Sequence, residues 1–247
     1  MANVSIFPDA HFLARAAVEH FINASSEAIK IRGLFSAALS GGSTPLILYR
    51  MLATEPFNER IDWARVHFFW GDERCVPPDH LDSNYFRAKQ ALFDHVPVPP
   101  QNIHRIPAEL PPEQAAVAYE EDLLRFFSSL PSEEDRAQAS LDLALLGMGD
   151  DGHTASLFPG SPAVEEQARW VTAQYVDKLA AWRISMTPAL LNRAREAVFL
   201  VAGPSKSYTL QKVLYGSYFP ARYPAQIIRP VSGDPLWLVD EAAAALF

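Results

Sequence analysis

Four apolar runs in this chain each end in a short polar turn containing glycine, and that repetition limits the folds open to it. Phe35–Ser40 runs into Gly41-Gly42-Ser43-Thr44, and Val66–Trp70 into Gly71-Asp72-Glu73-Arg74. Leu141–Leu146 runs into Gly147-Met148-Gly149-Asp150-Asp151-Gly152-His153, and Val198–Ala202 into Gly203-Pro204-Ser205-Lys206. Several runs are apolar throughout instead of alternating, which marks strands buried on both faces. Helical segments lie between them. Asp9 is placed to cap a helix to about Ile29, with Phe12, Ala16, Val18, Phe21 and Ile22 on its apolar face. Ser43-Thr44-Pro45 opens a second helix, and Ser83–Phe93 and Glu113–Leu130 supply two more. Shorter strands are expected at Val4–Phe7, Ile103–Ile106, Trp182–Met186 and Pro235–Val239, with Ser132–Ser140 as a loop. The alternation predicts an α/β fold with a mostly parallel central sheet covered on both faces.

In such sheets ligands bind beyond the carboxyl ends of the strands. All four turns sit there, so they are expected to converge on one pocket. The 247 residues suit a single domain, 1–247. A net charge of −8 argues against broad nucleic-acid binding, so any anionic ligand must be held locally by a few Lys or Arg. The single cysteine, Cys75, excludes an internal disulfide and fits a reducing compartment. With no signal-like start and no long apolar span, a cytoplasmic protein without a membrane partner is expected.

Gly147-x-Gly149-x-x-Gly152 has the spacing of a dinucleotide-binding turn. Asp150 and Asp151, however, lie where a pyrophosphate would sit, and like charges repel. The alternative is a turn that presents His153 as a general base, at what reads as the first turn of a helix, where the positive helix end keeps the ring neutral. Gly41, Gly42, Ser43 and Thr44 lead into a helix N-terminus whose free amides suit an anion. Plain capping by Ser43 or Thr44 is the blander expectation there, and both can hold together, one hydroxyl capping while neighbouring amides face a ligand. Arg74 can grip a phosphate with two parallel bonds, and Lys206 lies at another strand end. Asp72 could hold a sugar hydroxyl or steady Arg74, whereas Glu73 reads as a surface ion pair. Cys75 reads as a small buried hydrophobe. His67, His80, His95 and His104 lack metal-ligand spacing.

Three motifs, in order along nearly the whole chain, resemble the 6-phosphogluconolactonase family. They are Ser40-Gly41-Gly42-Ser43-Thr44-Pro45, Gly71-Asp72-Glu73-Arg74 with Asp82-Ser83-Asn84, and Gly147 through Pro159. The resemblance implies a Rossmann-like three-layer sandwich shared with glucosamine-6-phosphate deaminases and ribose-5-phosphate isomerases. It implies hydrolysis of 6-phospho-D-glucono-1,5-lactone, the second step of the oxidative pentose phosphate pathway, with no cofactor and no metal. It also implies a monomer or weak homodimer acting on a small sugar phosphate. The residues it points to for catalysis are His153, Asp151 and Asp72. For substrate binding they are Gly41, Gly42, Ser43, Thr44, Arg74, Asn84, Gly149 and Lys206. The related deaminases carry Asn-Glu-Pro where this chain has Leu157-Phe158-Pro159, so a carboxylate that deamination would use is replaced by Phe158.

Overall fold

Six parallel strands form the central sheet of the computed structural model, which describes residues 3–247. In chain order the strands are β1 (Asn3–Phe7), β2 (Phe35–Leu39), β3 (Val66–Trp70), β4 (Asp72–Arg74), β5 (Leu143–Leu146), β6 (Val171–Val176), β7 (Ala181–Met186), β8 (Glu196–Val201) and β9 (Leu236–Asp240). The α-helices are α1 (Ala10–Arg32), α2 (Ser43–Leu52), α3 (Asn84–Ala88), α4 (Pro112–Ser128), α5 (Glu133–Gln138), α6 (Pro188–Leu191) and α7 (Ser207–Tyr215). The large sheet runs β1-β9-β8-β5-β2-β3, and β4-β7-β6 form a small antiparallel sheet. One apolar core joins the two, from Phe35 and Phe68 in the first to Ile184 and Met186 in the second. Among the described residues no helix is long and apolar enough to cross a membrane.

Burial explains the uniform strands. Every residue of β2 and β5 is buried, so both faces carry apolar side chains. Asp9 caps α1 as expected, its Oδ1 accepting from the amides of His11 at 2.8 Å and Phe12 at 3.0 Å. The buried stripe of α1 is Leu13, Ala14, Ala17, Val18, Phe21 and Ile22. Phe12 falls just outside that helical stripe and is half exposed, and Ala16 is only partly buried.

The structure corrects the expected elements in four places. Ser132–Ser140 contains α5, because the Ser132 hydroxyl caps it at Asp135 and three acidic residues occupy its first turn. Ile103–Ile106 makes a single bridge, Ile103 to Phe68, with Pro100 and Pro107 on either side of it. Trp182–Met186 is a strand, but an antiparallel one outside the main sheet. The turn after β3 is itself short strand β4, paired to β7 through Asp72 and Ser185.

Strand order places the site. From β2 the chain adds β3 on one side, while β5, β8 and β9 build outward on the other. The gap beyond the ends of β2 and β5 is the switch point where an open α/β sheet leaves a crevice.

Candidate active site

A cleft of about 250 Å³ opens at that switch point, lined from all four predicted turns. Gly41, Gly42, Ser43 and Thr44 come from the end of β2, Asp72 and Arg74 from β4, Gly149 and His153 from the turn after β5, and Lys206 from the turn after β8. Asn84, at the start of α3, completes the set.

The N-terminus of α2 faces this cleft without a side-chain cap. Neither Ser43 nor Thr44 caps it, against the plain capping expectation. Gly42 makes the entry with φ of 106°, a conformation that glycine adopts without strain. The first amides of α2 are therefore open donors at the positive end of a helix.

The Arg74 guanidinium donates to the Asp82 carbonyl at 2.7 Å and has no carboxylate partner among the described residues. Arg183 stands directly across from it in the β4–β7 pairing. Burial, followed by the charge of Arg74, pulls the Arg183 guanidinium below its ordinary pKa. Two arginines facing one another on paired strands repel unless an anion lies between or beside them. Sequence reading missed Arg183, since its link to Arg74 depends on a strand pairing more than a hundred residues apart in the chain. Lys206 pairs with Asp150 at 2.5 Å.

Asp72 is buried and held. Its Oδ2 accepts from the Ser156 hydroxyl at 2.7 Å, and Asn84 Nδ2 donates to the Asp72 carbonyl at 2.9 Å. Asn84 Oδ1 and Ser40 Oγ are buried and have no hydrogen-bond partner, although both residues line the cleft. Asn84 lies so close to Gly41 that a Cβ at residue 41 would fall 2.0 Å from its Oδ1. Glu73 is a buried brace, not a surface ion pair. It accepts from the amides of Arg74, Asn84 and Tyr85 and from the Ser83 hydroxyl at 2.7–2.9 Å, tying β4 to the start of α3. Cys75 is partly buried, and that burial raises its thiol to about 11, in keeping with an unreactive residue.

The histidine turn differs from expectation in one respect: no helix follows it. Residues 150–158 form consecutive turns closed by a Thr154–Leu157 bridge. Gly149 N–H donates to the His153 carbonyl at 2.8 Å and Gly152 N–H to the Gly149 carbonyl at 3.0 Å. Thr154 and Thr209 hydroxyls anchor the turn at Gly147 and Asp150. The helix-end argument for a neutral His153 therefore falls away. In its place, Asp151 Oδ1 bonds His153 Nδ1 at 2.5 Å and the His153 amide at 3.2 Å. Burial works to raise the Asp151 carboxyl, but its bonds to His153 and Lys178 outweigh that and hold it well below the usual carboxylate range. An ionised Asp151 can only accept, so Nδ1 carries the proton and Nε2 is left free. The Phe158 ring packs 4.3 Å from the His153 ring.

A parallel sheet with a cationic, amide-rich cleft at its switch point, backed by an acid–histidine pair, is the arrangement of an α/β enzyme suited to a small anionic substrate. The family model described as glucosamine-6-phosphate isomerases/6-phosphogluconolactonase matches residues 8–237, and the chain belongs to that family. A 6-phosphogluconolactonase from a Nostoc species is 41% identical over 243 residues, covering 98% of this chain and 97% of the relative. One from a Synechocystis species is 44% identical over 219 residues, 88% and 87% of the two chains. The solved 6-phosphogluconolactonase of Trypanosoma cruzi superposes with a TM-score of 0.84 at 27% identity, covering 99% of this chain and 96% of that one.

Proposed function

We propose that the protein hydrolyses 6-phospho-D-glucono-1,5-lactone to 6-phospho-D-gluconate, with His153 as the general base. The observation that carries this reading is a single cleft lined both by His153, backed by Asp151, and by the cations Arg74 and Lys206 beside the open end of α2. The names of the curated relatives point to the same substrate.

In this reading Arg74 and Lys206 hold the phosphate, with the Gly41–Thr44 amides as further donors and Arg183 adding charge behind Arg74. His153 Nε2 takes a proton from water as the water oxygen bonds C1 of the lactone. Main-chain amides on the cleft rim meet the oxyanion. Those of Gly149 and Gly152 are already engaged within the turn, so they are not the donors. The C1–O bond of the ring then breaks, and protonated His153 returns the proton to the departing oxygen, leaving a hydroxyl and a carboxylic acid. Asp151 steadies the imidazolium, Asp72 holds a sugar hydroxyl or steadies Arg74, and Asn84 lines the substrate cleft. The steps draw on no metal or cofactor. The enzyme is proposed to work in the cytoplasm as one domain over 1–247, a monomer or weak homodimer with no nucleic-acid partner.

Deamination of an aminosugar phosphate is the nearest alternative, and Phe158 opposes it, since a ring rather than a carboxylate stands against His153. The test pairs His153→Gln with two substrates. Freshly made lactone should be hydrolysed by the wild type well above the spontaneous rate. The variant should lose roughly 100- to 10,000-fold in kcat while binding 6-phosphogluconate with near-native affinity. Hydrolysis by the variant at the wild-type rate overturns the role of His153. Ammonia release from glucosamine 6-phosphate without lactone hydrolysis overturns the reaction.

A further inference from the structure

Lys178 lies outside all four turns, yet it reaches the catalytic pair. It sits in the 3-10 turn Asp177–Leu179 that joins β6 to β7 in the small sheet. Its ammonium donates to Asp151 Oδ2, while His153 takes Oδ1 of the same carboxylate. The same ammonium stands 4.9 Å over the Phe158 ring, which packs on the His153 ring. Asp151 and Phe158, the two groups that fix the histidine, are thus both fastened by one lysine. Its side chain is half exposed, beside a second cavity of about 450 Å³ behind the turn. A lysine with that freedom ordinarily gains little by holding one geometry.

We propose that Lys178 is a positioning residue for His153, holding the Asp151 carboxylate from behind and thereby setting both the orientation and the basicity of the imidazole. This rests on the reading of His153 as the base. Two cations compete for one carboxylate. With Lys178 in place, the Asp151 carboxylate is shared, and it stabilises the imidazolium less than it otherwise would. The bonds to Lys178 and His153 are what keep Asp151 ionised against its burial. The other charged groups are arranged around this chain without joining it. Asp72, Arg74 and Lys206 share the cleft with His153, Asp150 flanks Asp151 in its turn, and Asp177, Tyr175 and Arg222 line the cavity at Lys178.

The test is Lys178→Met beside Lys178→Arg in the full chain. The His153 ring is titrated by NMR, and the pH dependence of lactone hydrolysis is measured in parallel. In Lys178→Met the His153 pKa should rise by about half a unit or more, because a positive charge near it is gone. The acid limb of kcat/KM should move to higher pH with it. At its optimum kcat should fall about tenfold with KM within twofold, as expected when a catalytic group is less well oriented. Lys178→Arg should restore all three. An unmoved His153 pKa with an unmoved acid limb overturns the proposal, even if activity drops. So does a rise in KM alone, which would place Lys178 on the substrate instead. The NMR titration needs no turnover, so a wild type inactive on the lactone would refute the proposed reaction without deciding the coupling of Lys178 to His153, which the titration decides by itself.

Discussion

Replacing Gly149 by Ala should disable the site without unfolding the protein. A Cβ at residue 149 would lie 2.0 Å from His153 Nδ1, 2.1 Å from its Cε1 and 2.9 Å from Asp151 Oδ1. Ordinary contact begins near 3.4 Å, so the ring must retreat by about 1.4 Å. That movement breaks the bond that fixes the tautomer. Misplacement of a reacting group by about 1 Å costs on the order of 100-fold, or about 2.7 kcal/mol in the barrier. Loss of the Asp151 contact adds to it, so kcat on fresh lactone should fall roughly 100- to 1,000-fold. The backbone at 149 has no left-handed φ, so alanine fits it and thermal unfolding should shift by only a few degrees. Stopped-flow release of acid from the lactone, corrected for spontaneous hydrolysis, gives the rate, and calorimetry gives the stability. A variant that folds and keeps kcat within threefold of the wild type would show that the packed His153–Asp151 geometry is irrelevant to turnover.

Two further expectations concern binding and pH. Arg74→Ala and Lys206→Ala should each raise KM for the phosphorylated lactone by about 10- to 100-fold, the worth of one charge-assisted hydrogen bond, with little effect on the unphosphorylated lactone. Equal effects on both lactones would remove the phosphate from their role. Far from the cleft, His67 bonds His104 at 3.1 Å and His104 bonds Asp122 at 2.9 Å. Burial, aided by the charge of His104, lowers the His67 pKa from 6.5 to about 4. The fold therefore favours neutral His67, so its contribution is complete above pH 6.5 and is lost as pH falls towards 4. Allowing for its partly solvated position, about 1–2 kcal/mol should disappear across that window. Urea unfolding at pH 7 and 4.5 measures it, and His67→Phe should flatten the slope. A wild-type slope unchanged in that variant would assign the acid sensitivity elsewhere.

The reach of the sequence differs between elements for physical reasons. β2 and β3 are visible because burial demands mostly apolar residues, with Ser36 and His67 the exceptions, a constraint local to each run. The convergence of the four turns follows from one rule about strand ends, and the cleft lining bears it out. The pairing of β4 with β7 is not local, so the facing of Arg74 and Arg183 had no signature in either segment. Lys178 is hidden for the same reason, being a surface lysine by composition and a partner of Asp151 only through the folded hairpin. Glu73 misleads in the opposite sense. Between an acid and an arginine it reads as a surface charge, yet four donors converging on one carboxylate make it a buried brace.

The glycine triplet of the histidine turn shows why spacing alone does not assign a ligand. In a dinucleotide site the triplet serves a helix: the last glycine lets that helix pack close to the strand, and the helix N-terminus receives the pyrophosphate. Here the chain turns back instead of entering a helix, and the last two glycines have different tasks. Gly149 clears room for the His153 ring. Gly152, with φ of 85°, reverses the chain where a Cβ would strike Tyr223 at 2.9 Å. With no helix dipole at this turn, its carboxylates are free of the repulsion that a bound pyrophosphate would impose, and Asp151 can serve the histidine. The helix end proposed to bind an anion is that of α2, which lines the same cleft as Arg74 and Lys206. In the proposed reaction, base and anion site thus come from separate strand ends, those of β5 and β2, which are neighbours in the sheet. That separation would let one small substrate offer a phosphate to one strand end and a carbonyl to the other, as the proposed reaction requires.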